Sequence, residues 1–184
     1  MPYYRNQQGL SIIGCLIAVA LAVFGGFAFH HWQVVIIRHE RDLVFNRLAS
    51  AIRYGQTLAM TEKKVFSLCK GKTDEPCSGQ WSDGFLIIQG KLQTKTPYSS
   101  IQIRHVFTGA HYGQVYFLNS STLFKGGLRF EAGSGEFYPN GRFLYCPPRY
   151  ASSQADFLII NYKGGRTHRA RFQKEAGLAC KKLP

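Results

Sequence analysis

Acidic residues are scarce in this chain. Its 184 residues hold 10 Asp and Glu against 23 Lys and Arg, a formal charge of +13. The imbalance is steepest at the C-terminal end, where nine Lys and Arg between Phe137 and Pro184 face only Asp156 and Glu175. A field of that sign favours polyanions: DNA, RNA, lipid head groups or acidic polysaccharide. Signatures of catalysis are missing as well. The sequence has no Gly-x-Ser-x-Gly, and no Cys-x-x-Cys or His-x-x-x-His spacing that would serve zinc. Gly71-Lys72-Thr73 imitates the end of a phosphate-binding loop, but Phe66 stands where that loop's first Gly belongs and no helix pattern follows. His30, His31, His39, His105, His111 and His168 form no metal or nucleophile pattern, and His105 and His111 read as surface residues. No catalytic residue, metal ligand or cofactor is assigned. Internal repeats and low-complexity linkers are also absent, and ordinary apolar content, high aromatic content and plentiful Gly suggest strands joined by tight turns rather than disorder.

What the chain does have is one long apolar run. Arg5-Asn6-Gln7-Gln8-Gly9 leads directly into an uncharged stretch from Leu10 to Phe29. About 20 apolar residues in a helix span about 30 Å, the hydrocarbon thickness of a bilayer. A secretory signal would have a shorter apolar core and a small-x-small cleavage site after it. Here the run passes into His30-His31-Trp32, residues suited to a membrane–water interface, and then into an amphipathic pattern. A retained membrane helix is expected.

No proline interrupts the interval from Leu10 to about Glu62, which reads as a single helix. Val34, Ile37, Arg41, Val44, Leu48, Ile52, Gly55 and Leu58/Ala59 follow its 3–4 spacing and predict the buried face. Arg38, Glu40, Asp42, Asn46, Arg47, Ser50 and Arg53 fall opposite and predict a face in solvent. Gly25-Gly26 allows close packing or a bend within the membrane part. Beyond Thr61 the period becomes strand-like. Strands are expected at 64–68, 85–89, 101–107, 114–118, 128–131, 142–145, 157–162 and 167–172, separated by Gly, Asn and Asp turn signals. Asn140-Gly141 and Lys163-Gly164-Gly165 read as hairpin tips. The fold class is α+β, with antiparallel sheets packed on the long helix.

Of five cysteines, Cys15 lies in the membrane run. Cys69, Cys77, Cys146 and Cys180 are an even set that an oxidising compartment would pair. Cys69–Cys77 with Cys146–Cys180 is the simplest of three connectivities. Topology receives opposed signals. Arg38, Arg41, Arg47 and Arg53 after the membrane run, against Arg5 before it, place the domain in the cytoplasm by the positive-inside count. The cysteines place it outside.

The leader and apolar run resemble the N-terminus of type IV prepilins and pseudopilins. The resemblance implies that prepilin peptidase cuts between Gly9 and Leu10 and methylates the new N-terminus. The family usually has Phe where this chain has Leu10, and Glu where it has Gly14. The Glu carboxylate meets a neighbouring subunit's amino group during assembly, so its absence suits a minor or tip-located member. The domain resembles the FimT/GspH family in three stretches: Arg47 to Met60; Val65 to Cys69 with Cys77 and Trp81-Ser82-Asp83-Gly84-Phe85; and the basic hairpin before Cys180. The resemblance implies a leader at 1–9, a membrane segment at 10–29, an amphipathic continuation at 30–62 and a β-rich globular domain at 63–184. It also implies an inner-membrane anchor, a periplasmic domain and a place in a filament with other minor and major pilins or pseudopilins.

The most suggestive functional stretch is Lys163-Gly164-Gly165-Arg166-Thr167-His168-Arg169-Ala170-Arg171. In competence-associated family members a Gly-Arg-x-Arg loop near the C-terminus binds DNA. Gly165-Arg166 matches, and the second Arg comes one residue later, at Arg169. Lys163, Arg166, Arg169 and Arg171 are the expected contacts to double-stranded DNA, through phosphate rather than base edges. Arg169 and Arg171, two residues apart, should share one strand face with Thr167. A solvated basic edge that blocks aggregation is the simpler reading of the same residues, and a structural pseudopilin of a secretion or pilus system is the simpler reading of the chain.

Overall fold

A computed structural model describes residues 12–74, 77–91, 102–119, 127–161, 166–170 and 173–183. They divide into two compact units, one ending at Ile36 and the other beginning at Ile37. Helix α1 is assigned over Ile12–Glu62. Its residues in the first unit are apolar and long enough to cross a membrane, and Ile12 to Gly26 are exposed. A Cβ added at Gly14, Gly25 or Gly26 would meet nothing within 4 Å.

In the second unit, α1 lies against two antiparallel sheets. The strands are β1 (Phe66–Lys70), β2 (Gly84–Gln89), β3 (Gln102–Thr108), β4 (Gln114–Asn119), β5 (Gly127–Phe130), β6 (Phe137–Tyr138), β7 (Gly141–Cys146), β8 (Asp156–Asn161) and β9 (Arg166–Ala170). The first sheet has the order β3-β2-β1-β5-β6, the second β4-β7-β8-β9. A 3₁₀ segment, Arg149–Gln154, and a short helix α2, Gln173–Cys180, complete the fold.

Every described residue of the expected buried helix face from Ile37 to Ala59 is buried, Arg41 included. Ile37, Val44, Leu48, Ile52, Leu58 and Ala59 share one core with Phe66, Leu68, Phe85 and Phe130 of the first sheet and Val115, Phe143, Tyr145, Leu158 and Ile160 of the second. At Gly55 an added Cβ would lie 2.4 Å from the Phe130 ring, so only a bare backbone lets β5 approach the helix this closely. The helix stops where Lys63 takes a left-handed φ of 52°.

Three expectations are corrected. The polar side of the helix is not simply solvated. The Glu40 carboxylate accepts backbone N–H groups of His111, Tyr112 and Gly113 and the Tyr145 hydroxyl, and Arg47 donates to the carbonyls of Thr108 and Gly109. The cause is geometric: a helix flanked by two sheets meets loop ends on its polar side too. Asn140-Gly141 is not a hairpin tip, because β6 pairs with β5 in the first sheet and β7 belongs to the second; the segment is a crossover containing the cis Tyr138–Pro139 bond. Finally, residues 173–180, given no element by the sequence pattern, form α2. With eight residues and a central Gly177, its own periodicity is too short to read, and its burial comes from packing on the second sheet.

Cysteines pair as Cys69–Cys77 and Cys146–Cys180. The second bond fastens α2 over Leu144, Phe157 and Ala170, on the face of the second sheet away from α1.

Candidate nucleic-acid interface

Strands β8 and β9 pair antiparallel from Phe157↔Ala170 to Asn161↔Arg166, a hairpin with residues 162–165 between them in sequence and outside the described residues. Lys163 and Arg171 lie outside the described residues, as do Gly9 and Leu10. Arg166 is placed by its backbone, opposite Asn161 at the end of the pair where the chain passes from β8 to β9. Along β9, His168 is exposed and Ala170 is buried under α2, while Thr167 and Arg169 take the alternate face, toward α1.

Arg169 is held. Its Nη1 donates to Asp42 Oδ1 at 2.9 Å, and its Nη2 donates to the Asp42 carbonyl and to Asn46 Oδ1, each at 3.3 Å. The guanidinium also lies 5.7 Å from the centre of the Phe45 ring. Asp42 is shared: Arg41 Nη2 stands 3.0 Å from the same Oδ1. Arg41 is itself buried. Its Nη1 donates to the Gln154 carbonyl at 3.3 Å and stands 3.8 Å from Asp156 Oδ2.

Asp156, at the start of β8, is also buried. Burial pushes its carboxyl above the ordinary value. The Phe157 N–H, which it accepts at 2.8 Å, and the charges of Arg41 and Arg169 pull in the other direction. Two cations and two anions thus lock the β8–β9 hairpin to the middle of α1 with no net charge. Of the two residues that hold Arg169, Asn46 is exposed as the helix pattern predicts and Asp42 is half-buried. One signal in the sequence pointed to the clasp: Arg41 sits on the apolar stripe of the helix, where a buried guanidinium needs a carboxylate, and Asp156 is one of only two acids in the basic C-terminal segment.

Among the described residues no group of three His, Cys, Asp or Glu could hold a metal ion. His105 is exposed on β3, edge-on to Phe107 at 4.4 Å and to Tyr54 at 5.5 Å, and His111 is exposed in the loop held by Glu40.

No protein-family model matches the sequence, and no curated protein is significantly similar to it. Solved structures do match. The type IV minor pilin FimU of Pseudomonas aeruginosa superposes with a TM-score of 0.51 at 16% identity, covering 72% of this chain and 90% of that one. The minor pseudopilin EpsH from the type 2 secretion system of Vibrio cholerae gives 0.48 at 12% identity, covering 71% and 96%. The chain has the minor pilin fold, a long N-terminal helix on antiparallel sheets.

Proposed function

We propose that the protein is a minor filament subunit of the type IV pilus or type II secretion kind that binds double-stranded DNA without sequence preference. In this reading prepilin peptidase cleaves between Gly9 and Leu10 and methylates the new N-terminus. The helix from Leu10 then anchors the chain in the inner membrane with its domain in the periplasm. Assembly with other minor and major pilins or pseudopilins carries that domain to a filament or its tip. Two bonded cysteine pairs support an oxidising compartment over the topology that the arginine count favours. Cleavage is checked by the N-terminal mass. The wild-type chain should begin at Leu10 with one added methyl group, and Gly9→Val should remain uncut in the membrane. A mature chain beginning at Met1, or cut after Phe29, overturns the assignment.

The observation that supports DNA binding is the antiparallel pairing of β8 with β9, which sets Arg166, Thr167, His168 and Arg169 of the basic run on an edge strand of the second sheet. Lys163, Arg166 and Arg171 supply phosphate contacts, and Arg169 joins them with the part of its side chain left exposed beside Asp42. Uptake of DNA in natural transformation is the role such a subunit would serve.

The rival reading is a structural pseudopilin with no DNA role, and the Asp42–Arg169 ion pair favours it for that one residue. A salt titration of the full chain in neutral detergent separates them. Wild type should bind unrelated duplexes alike near physiological ionic strength. Arg166→Ala should flatten the slope of log affinity against log salt by about 0.9, one phosphate contact. Lys91→Ala and Lys95→Ala should leave it unchanged. Equal slopes in all variants would leave the structural reading in place.

A further inference from the structure

The second sheet has an open row beside the hairpin. Register aligns Leu118 of β4 with Arg142 of β7, Arg142 with Ile159 of β8, and Ile159 with His168 of β9. Residues in register point to the same face. That face also carries Tyr116, Leu144, Phe157 and Ala170 in the adjoining row, which cluster with Ala176 of α2, and Leu118 and Ile159 pack against the edge of the same cluster. The Arg142 row lies beyond. Arg142 and His168 are exposed, and Ile159 and Leu118 between and beside them are half-buried.

Arg142 differs from the arginines that the fold consumes. Arg41 and Arg169 meet Asp42, Arg104 meets Glu62, and Arg129 meets Glu131. Among the described residues Arg142 has no carboxylate partner. Its guanidinium lies over the Phe157 ring, 4.7 Å from the centre. A ring under one face fixes the plane of the guanidinium and leaves the N–H edge to a bidentate acceptor. The backbone beneath it is rigid, because β7 is paired on both sides, with β4 and β8. His168 likewise has no ion pair among the described residues. Two strand spacings of about 4.8 Å separate the two side chains by about 10 Å, close to three base-pair rises of 3.4 Å. The surrounding charge has the same sign: Lys174, Lys181 and Lys182 of α2 and its following turn are exposed, against Glu175 alone.

We propose that Arg142 and His168 form a second phosphate-contacting strip, running from the hairpin across the open face of the second sheet and taking the sugar–phosphate backbone of double-stranded DNA. The inference rests on the DNA-binding reading above and extends its footprint from a loop to a sheet face. An anionic membrane is the competing partner for such a strip. It is disfavoured because no exposed large apolar side chain stands in the row to enter the acyl region.

The test uses the full chain in neutral detergent, titrated with a random-sequence duplex across a range of salt. Arg142→Gln keeps the stem over Phe157 and removes the charge. It should reduce the salt slope by about 0.9 and the affinity at 0.15 M salt about fivefold. His168→Gln should weaken binding in the same direction by less. Arg142→Lys should keep the slope, because the charge remains, and it serves if the Gln variant unfolds. Arg142→Gln equal to wild type, with Arg166→Ala still weakened, overturns the strip and leaves the hairpin reading intact. No binding by wild type at 0.15 M salt ends both. Arg142-dependent capture by phosphatidylglycerol vesicles, with no effect on duplex binding, overturns the strip as a DNA site and assigns it to lipid.

Discussion

Replacing Trp81 by alanine should lower stability by about 3–5 kcal/mol, the usual loss for a large buried aromatic. Trp81 is 5% exposed and lies just before β2. Its ring meets Phe143 at 4.8 Å and Phe117 at 5.9 Å in the second sheet, and Phe85 at 6.3 Å in the first. It therefore joins the two sheets directly, within the core they share with α1. The next residue does the same with a hydrogen bond, since the Ser82 Oγ accepts the Val115 N–H of β4 at 2.9 Å. Little can collapse into the space, because the neighbouring backbone is already in contact: a Cβ at Gly109 would lie 2.0 Å from the Ser82 carbonyl oxygen. Thermal unfolding of the full chain in neutral detergent, followed by near-ultraviolet circular dichroism, should show a midpoint lower by roughly 10 °C. Trp81→Phe should recover about half. A loss under about 1 kcal/mol for the alanine variant would mean that the sheets are held together by α1 alone.

Arg41→Met should be comparably costly at neutral pH, about 3–5 kcal/mol, and should show a distinctive pH dependence. Removing Arg41 leaves Asp156 buried beside Asp42, with the Phe157 N–H and the more distant Arg169 as compensation. The sign follows from proton uptake. Asp156 already binds its proton more tightly in the folded chain than in the unfolded one, because burial raises its pKa above 3.8. Its contribution is therefore most favourable below 3.8, and stability is lost as pH rises from there through the folded value. Arg41→Met raises that folded value further, so the gap between variant and wild type should widen from acid to neutral pH. Asp156→Asn in the same background should remove the pH dependence of the gap. Arg41→Met with Asp156→Leu should be close to wild type, since a buried ion pair and an apolar pair of similar volume are often equivalent. Urea unfolding of the four chains between pH 3 and pH 7 measures each statement. A gap that stays constant with pH would remove Asp156 from the account.

The same clasp shows where reading residues in order stops being informative. Arg41 stood on the apolar stripe from the start, an anomaly that asked for a partner. Asp42 and Asn46 carried no such mark, because a polar residue off the stripe looks identical whether it faces water or a strand. Their role depends on β9 arriving beside them, about 125 residues later in the chain. Turn chemistry was similarly ambiguous. Lys163-Gly164-Gly165 and Asn140-Gly141 carry equally good turn signals, yet the first joins paired strands and the second carries the chain from one sheet to the other. The signal specifies a local bend and says nothing about which strand waits on the far side.

The residues alone determined the membrane-length apolar run, the helix to Glu62, its buried stripe and eight of the nine strands among the described residues. Each is a matter of short-range period, and the period is set by backbone geometry within a few residues. The tertiary structure decided which charges are spent and which are free. Arg169, chosen from the sequence as a DNA contact, is tied to Asp42, while Arg142, not chosen, lies open on a sheet face with its guanidinium over Phe157. Both are arginines on β-strands of the basic C-terminal segment. What separates them is the layer each strand face meets: α1 with its carboxylates on one side, and on the other a helix that covers one row of the sheet and leaves Arg142 and His168 of the next exposed.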